Sequence, residues 1–173
     1  MKLNTKTLLV AMNILAWVVF VGFLVIAGSI ATSYIVSISH QQASKDLYKG
    51  LDLSAYRQYS FMQYSFVVWY KVILYVAQAY TAFLMTSLLS AINIARPFNA
   101  DVVKLMQKIA YAILCLWLVA VVHNIHIAVL EKTAGIAANY VSGDSIFLAA
   151  IVYILAQLFK IGAAIQSENE LTV

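Results

Sequence analysis

Apolar residues arrive in four long runs, each at least about 20 residues, the length that crosses a hydrocarbon core. Polar residues gather in the gaps between them. The pattern predicts transmembrane helices over about residues 7–39, 66–95, 100–131 and 145–166, with an outer cap segment over 40–64. The first span, at 1.5 Å per residue, is about 48 Å long and must tilt or project beyond the membrane. Within it, Gly22, Ala27, Gly28, Ala31 and Thr32 offer a small-residue surface for close approach of another helix. That helix belongs to the same subunit or to a second copy in a homo-oligomer.

The cap carries Lys45, Asp46, Lys49, Asp52 and Arg57 interleaved with Tyr48, Tyr56, Tyr59, Phe61 and Tyr64. Tyrosine favours the membrane boundary, where the ring is shielded and the hydroxyl meets a partner. The expectation is a partly helical segment on the outer surface, broken near Gly50. The second and third helices meet at Arg96-Pro97-Phe98-Asn99. Pro97 restricts the residue before it and cannot donate to a preceding turn, while Asn99 suits an N-cap with Asp101 following. The connection is therefore a tight antiparallel hairpin. Gly135, Asn139, Gly143 and Asp144 turn the chain into the fourth helix.

Composition supports this pattern. The 173 residues are 64% hydrophobic and 10% charged, against about 25% charged in soluble domains. The fold class is an all-α membrane protein, a four-transmembrane-helix bundle forming one domain over 1–173. The first apolar run exceeds the about 7–15 residues of a signal-peptide core, which predicts an uncleaved signal-anchor helix. The net charge of +4 does not indicate direct nucleic-acid binding, because no basic stripe is interleaved with aromatics. Cys115 has no second cysteine to pair with. Six cations (Lys2, Lys6, Arg96, Lys104, Lys108, Lys160) fall on one side of the predicted spans and four (Lys45, Lys49, Arg57, Lys132) on the other. The short flanks carry the excess, so both termini are expected in the cytoplasm, and the lipid bilayer is the first partner.

Polar residues within the spans are the candidate chemistry. Lys71, Tyr75 and Gln78 share a helical face, and an ionisable group there calls for a partner inside the protein. Glu131 is the first candidate for Lys71 and Asp144 the second; the alternative has Lys71 reaching outward to headgroups. His123 and His126, three apart, lie at the level of His40 and close to Lys71 and Glu131. These five, His40, Lys71, His123, His126 and Glu131, form a predicted outer polar cluster. Its histidines would suit a metal or haem site, a pH-sensing role or simple hydrogen bonding, the last favoured because no matching histidine pair faces them. No cofactor is assigned. Asn13, Asn93 and Gln157 read as interhelical hydrogen-bonding residues. No nucleophile with its base, phosphate loop or paired carboxylates occurs, so no enzyme is predicted.

Two segments carry a resemblance: Arg96-Pro97-Phe98-Asn99, and the carboxyl end Gln166-Ser167-Glu168-Asn169-Glu170-Leu171-Thr172-Val173 after Phe159-Lys160 and Gly162. With four spans in a chain of this size, the sequence resembles the bacterial 2975 family of domains of unknown function along its whole length. The resemblance implies a small bacterial inner-membrane protein, often encoded beside a small helix-turn-helix DNA-binding protein. A cytosolic regulator restrained at the membrane follows by analogy. Its contacts would be Arg96, Phe98, Asn99, Glu168, Asn169, Glu170 and Leu171, an acidic tail docking on a basic surface. The alternative is that these residues stop and restart helices and cover the base of the helices. Two further functions stay open: a small transporter or channel subunit using Lys71 and Gln78, and a haem- or metal-binding protein using the histidines. The row below Gln78 meets Met85 and Leu89, which weakens the channel.

Overall fold

The computed structural model describes residues 5–93 and 98–171, the last three by backbone alone. Its elements are α1 (Thr5–Ser39), a 3-10 turn (Gln41–Lys45), α2 (Ser54–Tyr59), α3 (Phe61–Ala91), α4 (Ala100–Ala134) and α5 (Ser145–Leu171). No β-strand occurs among the described residues. α1, α3, α4 and α5 are each long and apolar enough to cross a membrane, as a multi-pass membrane protein requires. α1 is apolar on every side and has very few buried residues. That is the pattern of a helix facing lipid, since no polar stripe is needed where the solvent is hydrocarbon.

The helix boundaries differ from the sequence pattern at four places, one of them the end of α3, which stops at Ala91 rather than running to residue 95. α3 begins at Phe61 rather than Phe66 and takes Tyr64 out of the cap. Its first turn is anchored by the Tyr64 amide, which donates to Ser60 O at 3.0 Å. α4 runs past Glu131 to Ala134 and ends at Gly135. Gly135, at φ +65°, adopts the left-handed conformation that closes many helices, and its amide donates to Glu131 O at 3.0 Å. α5 does not stop at Gln166 but continues to Leu171, so the polar carboxyl segment is helical over its described part.

The chain divides into two compact units. One contains residues 1–20, 80–115 and 144–173, the other residues 21–79 and 116–143. In the second unit the core joins Ala27 and Ile30 of α1, Leu47, Leu53 and Tyr56 of the cap, Tyr64, Val67, Val68 and Val72 of α3, and Ile127 and Leu130 of α4. The cap is ordered by local chemistry. Lys49 (φ +47°) and Gly50 (φ +84°) both take the left-handed conformation between Tyr48 and Leu51, whose amide donates to Tyr48 O. Asp46 Oδ1 accepts from the Gly50 amide at 2.8 Å. Asp52 Oδ1 accepts from the Ser54 amide at the start of α2, and its hydrogen bonds with Ser54 hold its carboxyl below the usual value.

The same unit fastens α1 to α3 through an aromatic cluster. The Tyr34 ring stacks on Phe61 and lies near Tyr64 and Trp69. Its hydroxyl is 2.9 Å from Ser65 Oγ, and Ser37 Oγ is 2.7 Å from the Tyr64 hydroxyl. Arg57 of α2 lies over the Phe61 and Tyr64 rings and donates to Ile38 O, one of the last carbonyls of α1. A cation at a helix carboxyl end satisfies both an open acceptor and the helix dipole.

In the first unit, Leu84 of α3 packs with Ile109 and Ile113 of α4 and Ala149 of α5. A neighbouring cluster joins Val102 and Met106 of α4 with Ala156 of α5. Trp17, Phe20 and Phe83 form an aromatic triad between α1 and α3. Asn13 donates to Ser90 Oγ at 2.9 Å and to Thr86 O at 3.5 Å, the interhelical role expected of it.

Candidate functional site

The polar residues of the second unit converge on an irregular segment of chain. After Gly135 the backbone turns back and runs beside α4 as far as Val141. Asn124, its partner there, lies ten residues before the end of α4, about 15 Å along the axis. An extended stretch cannot pair its own amides and carbonyls, and near a membrane those groups need partners from the protein. The helices supply them. Tyr56 Oη donates to Ala137 O at 3.0 Å. Asn124 Nδ2 donates to Val141 O at 2.7 Å, and its Oδ1 accepts from the Val141 amide at 2.9 Å. The Asn124 amide thus pairs with Val141 as a neighbouring strand would.

Asn139 is the hub. Its side-chain oxygen accepts from Lys71 Nζ at 2.8 Å, and its backbone carbonyl lies 3.3 Å from His123 Nε2. A carbonyl only accepts, so His123 Nε2 is the donor of this hydrogen bond. The His123 Nδ1 is buried and has no hydrogen-bond partner among the described residues. Lys71 is 8% exposed and His123 fully buried. Tyr70 links the two histidines, with ring centroids 5.6 Å from His123 and 5.9 Å from His126. His126 Nε2 lies 2.7 Å from Gln63 Oε1.

Of the five residues of the predicted outer cluster, Lys71 and His123 therefore meet at one residue, and His126 adjoins them through Tyr70. Glu131 meets the same segment one residue on: its Oε2 accepts from the Tyr140 hydroxyl at 2.7 Å. That bond pushes the Tyr140 phenol above its ordinary value, because ionising it would set two negative charges together. Burial raises Tyr56 similarly. His40 is exposed at the start of the 3-10 turn, with its backbone bonded to Val36 and Ala43. The acceptor found for Lys71 is the Asn139 amide, where charge alone pointed to Glu131. No group of three or more His, Cys, Asp or Glu side chains positioned to hold a metal occurs among the described residues.

The sequence pattern read Asn139 only as a turn residue and gave Asn124 no separate role. The available signal was the run His123-Asn124-Ile125-His126, too polar for a helix face that meets only apolar neighbours.

The second candidate region lies in the first unit. Asn99 Oδ1 accepts from the Val102 amide at 2.8 Å, so Asn99 caps α4. Phe98 is 40% exposed and sets its ring edge-on to Phe159, with centroids 5.1 Å apart. The same ring lies on Gly162, where an added β-carbon would come within 2.9 Å of Phe98 Cδ1. Glu168 is exposed on α5, and Asn169, Glu170 and Leu171 continue that helix. Arg96, Pro97, Thr172 and Val173 lie outside the described residues.

The Phe98–Gly162 contact makes a direct prediction. Gly162→Ala forces the ring aside and is expected to cost about 1–2 kcal/mol, overpacking offset in part by alanine's helix propensity. In a Phe98→Ala background the same change should cost nothing. Thermal melting of the four proteins in detergent checks this, and equal costs in both backgrounds would refute the contact.

The model of a family described as a protein of unknown function, DUF2975, matches residues 53–173. The chain belongs to this family. The DUF2975 match begins at Leu53 in the cap and includes α3, α4 and α5, with the Arg96-Pro97-Phe98-Asn99 hairpin and the carboxyl segment both inside it. Membership agrees with the resemblance carried by those motifs, although the matched stretch starts after α1. No curated protein and no solved structure matches the chain.

Proposed function

We propose that this DUF2975 protein is a bacterial inner-membrane protein, with both termini in the cytoplasm, that binds and restrains a cytosolic helix-turn-helix regulator. The observation that carries this reading is the unbroken course of α5. The helix passes from its apolar span through Ser167 and Glu168 to Leu171 without a stop. A helix that continues polar beyond its apolar span offers a soluble partner a rigid surface, with less ordering cost than a loose tail.

The excess of cations at Lys6, Lys104, Lys108 and Lys160 favours the cytoplasm for this end of the helices. Glu168 and Glu170 make the carboxyl segment acidic in sequence, complementary to the basic surface of a DNA-binding protein. Phe98, at the amino side of α4, adds an exposed aromatic ring, the residue class that anchors protein interfaces. The hydrogen bonds described around Asn139 join parts of the chain to one another and favour a structural role for that network over transport or metal chemistry.

The test is purification from the native host in mild detergent, with mass spectrometry of co-purifying proteins. A small helix-turn-helix protein is expected at near-stoichiometric amounts, lost by at least about tenfold on deleting Glu168 to Val173. That loss corresponds to about 1.4 kcal/mol, well within what a few interface residues contribute. Unchanged recovery from a folded truncated protein would overturn the docking site. Absence of any such protein from the intact preparation would overturn the function.

A further inference from the structure

We infer that the segment after α4 is an acid-sensitive strap, released when His123 takes up a second proton beside Lys71. The strap, residues 136–141, is held mainly by hydrogen bonds. Ile136 is buried in the core of the second unit, while Ala138, Asn139 and Val141 are half-buried and Ala137 and Tyr140 exposed. It hangs between Gly135 and Gly143, each with open space around it, so it can swing away without displacing a helix. A stretch with so little apolar burial opens locally at lower cost than the helices behind it.

Two titratable side chains meet the strap at one residue. Lys71 Nζ donates to the Asn139 side-chain oxygen at 2.8 Å, and His123 Nε2 donates to the Asn139 carbonyl at 3.3 Å. With the strap in place His123 is fully buried and its Nδ1 has no partner among the described residues. An imidazolium here would bury a second N–H without an acceptor and set two cations against Asn139. The groups around it do not offset that charge. On α3 they are Lys71 and Tyr70, whose ring lies 5.6 Å from the imidazole. On α4 the neighbour is His126, with its Nε2 engaged at Gln63. Tyr56 of α2 reaches the strap at Ala137, and Tyr140 of the strap gives its hydroxyl to Glu131. The carboxylate of this region is thus committed to a phenol.

Proton counts set the direction. Once the strap has swung away, His123 meets water and titrates near the ordinary histidine value, about 6.5. The open form therefore binds the additional proton that the closed form has no room for. Acid favours whichever form binds more protons, so the strap is secure at neutral pH and loosens as the pH falls. Between about pH 7.5 and about pH 5, this one group shifts the opening equilibrium by up to about thirtyfold. The switch needs no regulator and works on whichever side of the membrane this end of the helices lies, so it stands or falls separately from the docking proposed above.

The experiment is hydrogen exchange of the purified full-length protein in detergent at about pH 7.5 and about pH 5, with labelling times adjusted for the pH dependence of unprotected amides. Protection at residues 136–141 should fall by about ten- to thirtyfold at the lower pH, while that of α1 is unchanged. His123→Gln keeps a side-chain donor for the Asn139 carbonyl but does not titrate, and its strap should respond by less than about twofold. His40→Gln and His126→Gln should keep the full response. Equal protection of the strap at the two pH values in the unaltered protein would overturn the inference. So would a response that persists in His123→Gln, or one lost instead in Glu131→Gln. Protection lost across α1 in step with the strap would mean general acid unfolding and would overturn it too. Nitrogen NMR of labelled histidine in the unaltered protein keeps the test decisive if His123→Gln does not fold. His123 should become an imidazolium over the pH range in which the strap loosens, and an imidazolium already present at about pH 7.5 would overturn the switch.

Discussion

Asn124→Leu is expected to destabilise the protein by about 2–4 kcal/mol and to free the segment that follows α4. The leucine keeps the branched shape and heavy-atom count of asparagine and adds helix propensity, so backbone preference does not account for the loss. What disappears is a pair of hydrogen bonds, one given by Asn124 Nδ2 and one accepted by its Oδ1, both with the backbone of Val141. A peptide N–H and C=O are then left without partners, each costing about 1–3 kcal/mol where water does not reach. Hydrogen exchange should show the change locally, with faster exchange at residues 136–143 and little difference across α1. Thr32→Val is the control: the Thr32 hydroxyl bonds only to carbonyls of its own helix, at Gly28 and Ser29, and its loss should matter by less than about 0.5 kcal/mol. A melting temperature for Asn124→Leu equal to that of Thr32→Val would show that the backbone of Val141 finds other partners.

The membrane-spanning helices were legible because run length is a strong signal when hydrocarbon is the solvent. Thr5–Ser39 and Ala100–Ala134 announce themselves without any periodicity. The cap on α4 was legible too, since Asn99 and Asp101 after Pro97 form a chemically specific helix start. The break at Gly50 was legible for the same kind of reason: a left-handed backbone favours glycine, although Lys49 shares the conformation without any sequence warning.

The course of residues 136–141 was not legible. An extended segment satisfied by side chains from other elements has no period of its own, and its partners lie between about 15 and 80 residues away. The same gap hid the acceptor for Lys71. Charge suggested a carboxylate, but the structure places the Tyr140 phenol on Glu131 and the Asn139 amide on Lys71. His40, which by sequence shares a level with the other histidines, is exposed at the start of the 3-10 turn.

The Lys71–Asn139 pair should respond asymmetrically, and the asymmetry distinguishes a buried cation held by a neutral acceptor from an ordinary surface lysine. Asn139→Leu leaves the Lys71 ammonium beside a hydrocarbon side chain with its 2.8 Å acceptor gone. Stranding a buried charge in this way costs about 3–5 kcal/mol, unless the side chain swings out to headgroups. Lys71→Met removes the charge, keeps an unbranched side chain of similar length, and orphans only the Asn139 oxygen, at about 1–3 kcal/mol. Combining the two replaces the polar pair by apolar groups, and the double variant should be more stable than Asn139→Leu alone. The expected order of melting temperatures in detergent is therefore unaltered protein, then Lys71→Met and the double variant close together, then Asn139→Leu. A Lys71→Met protein less stable than Asn139→Leu would mean that the ammonium has a stronger engagement than Asn139. Additive losses in the double variant would mean that the two side chains act independently, and that the segment after α4 is held by its other hydrogen bonds, to Asn124, His123, Tyr56 and Glu131.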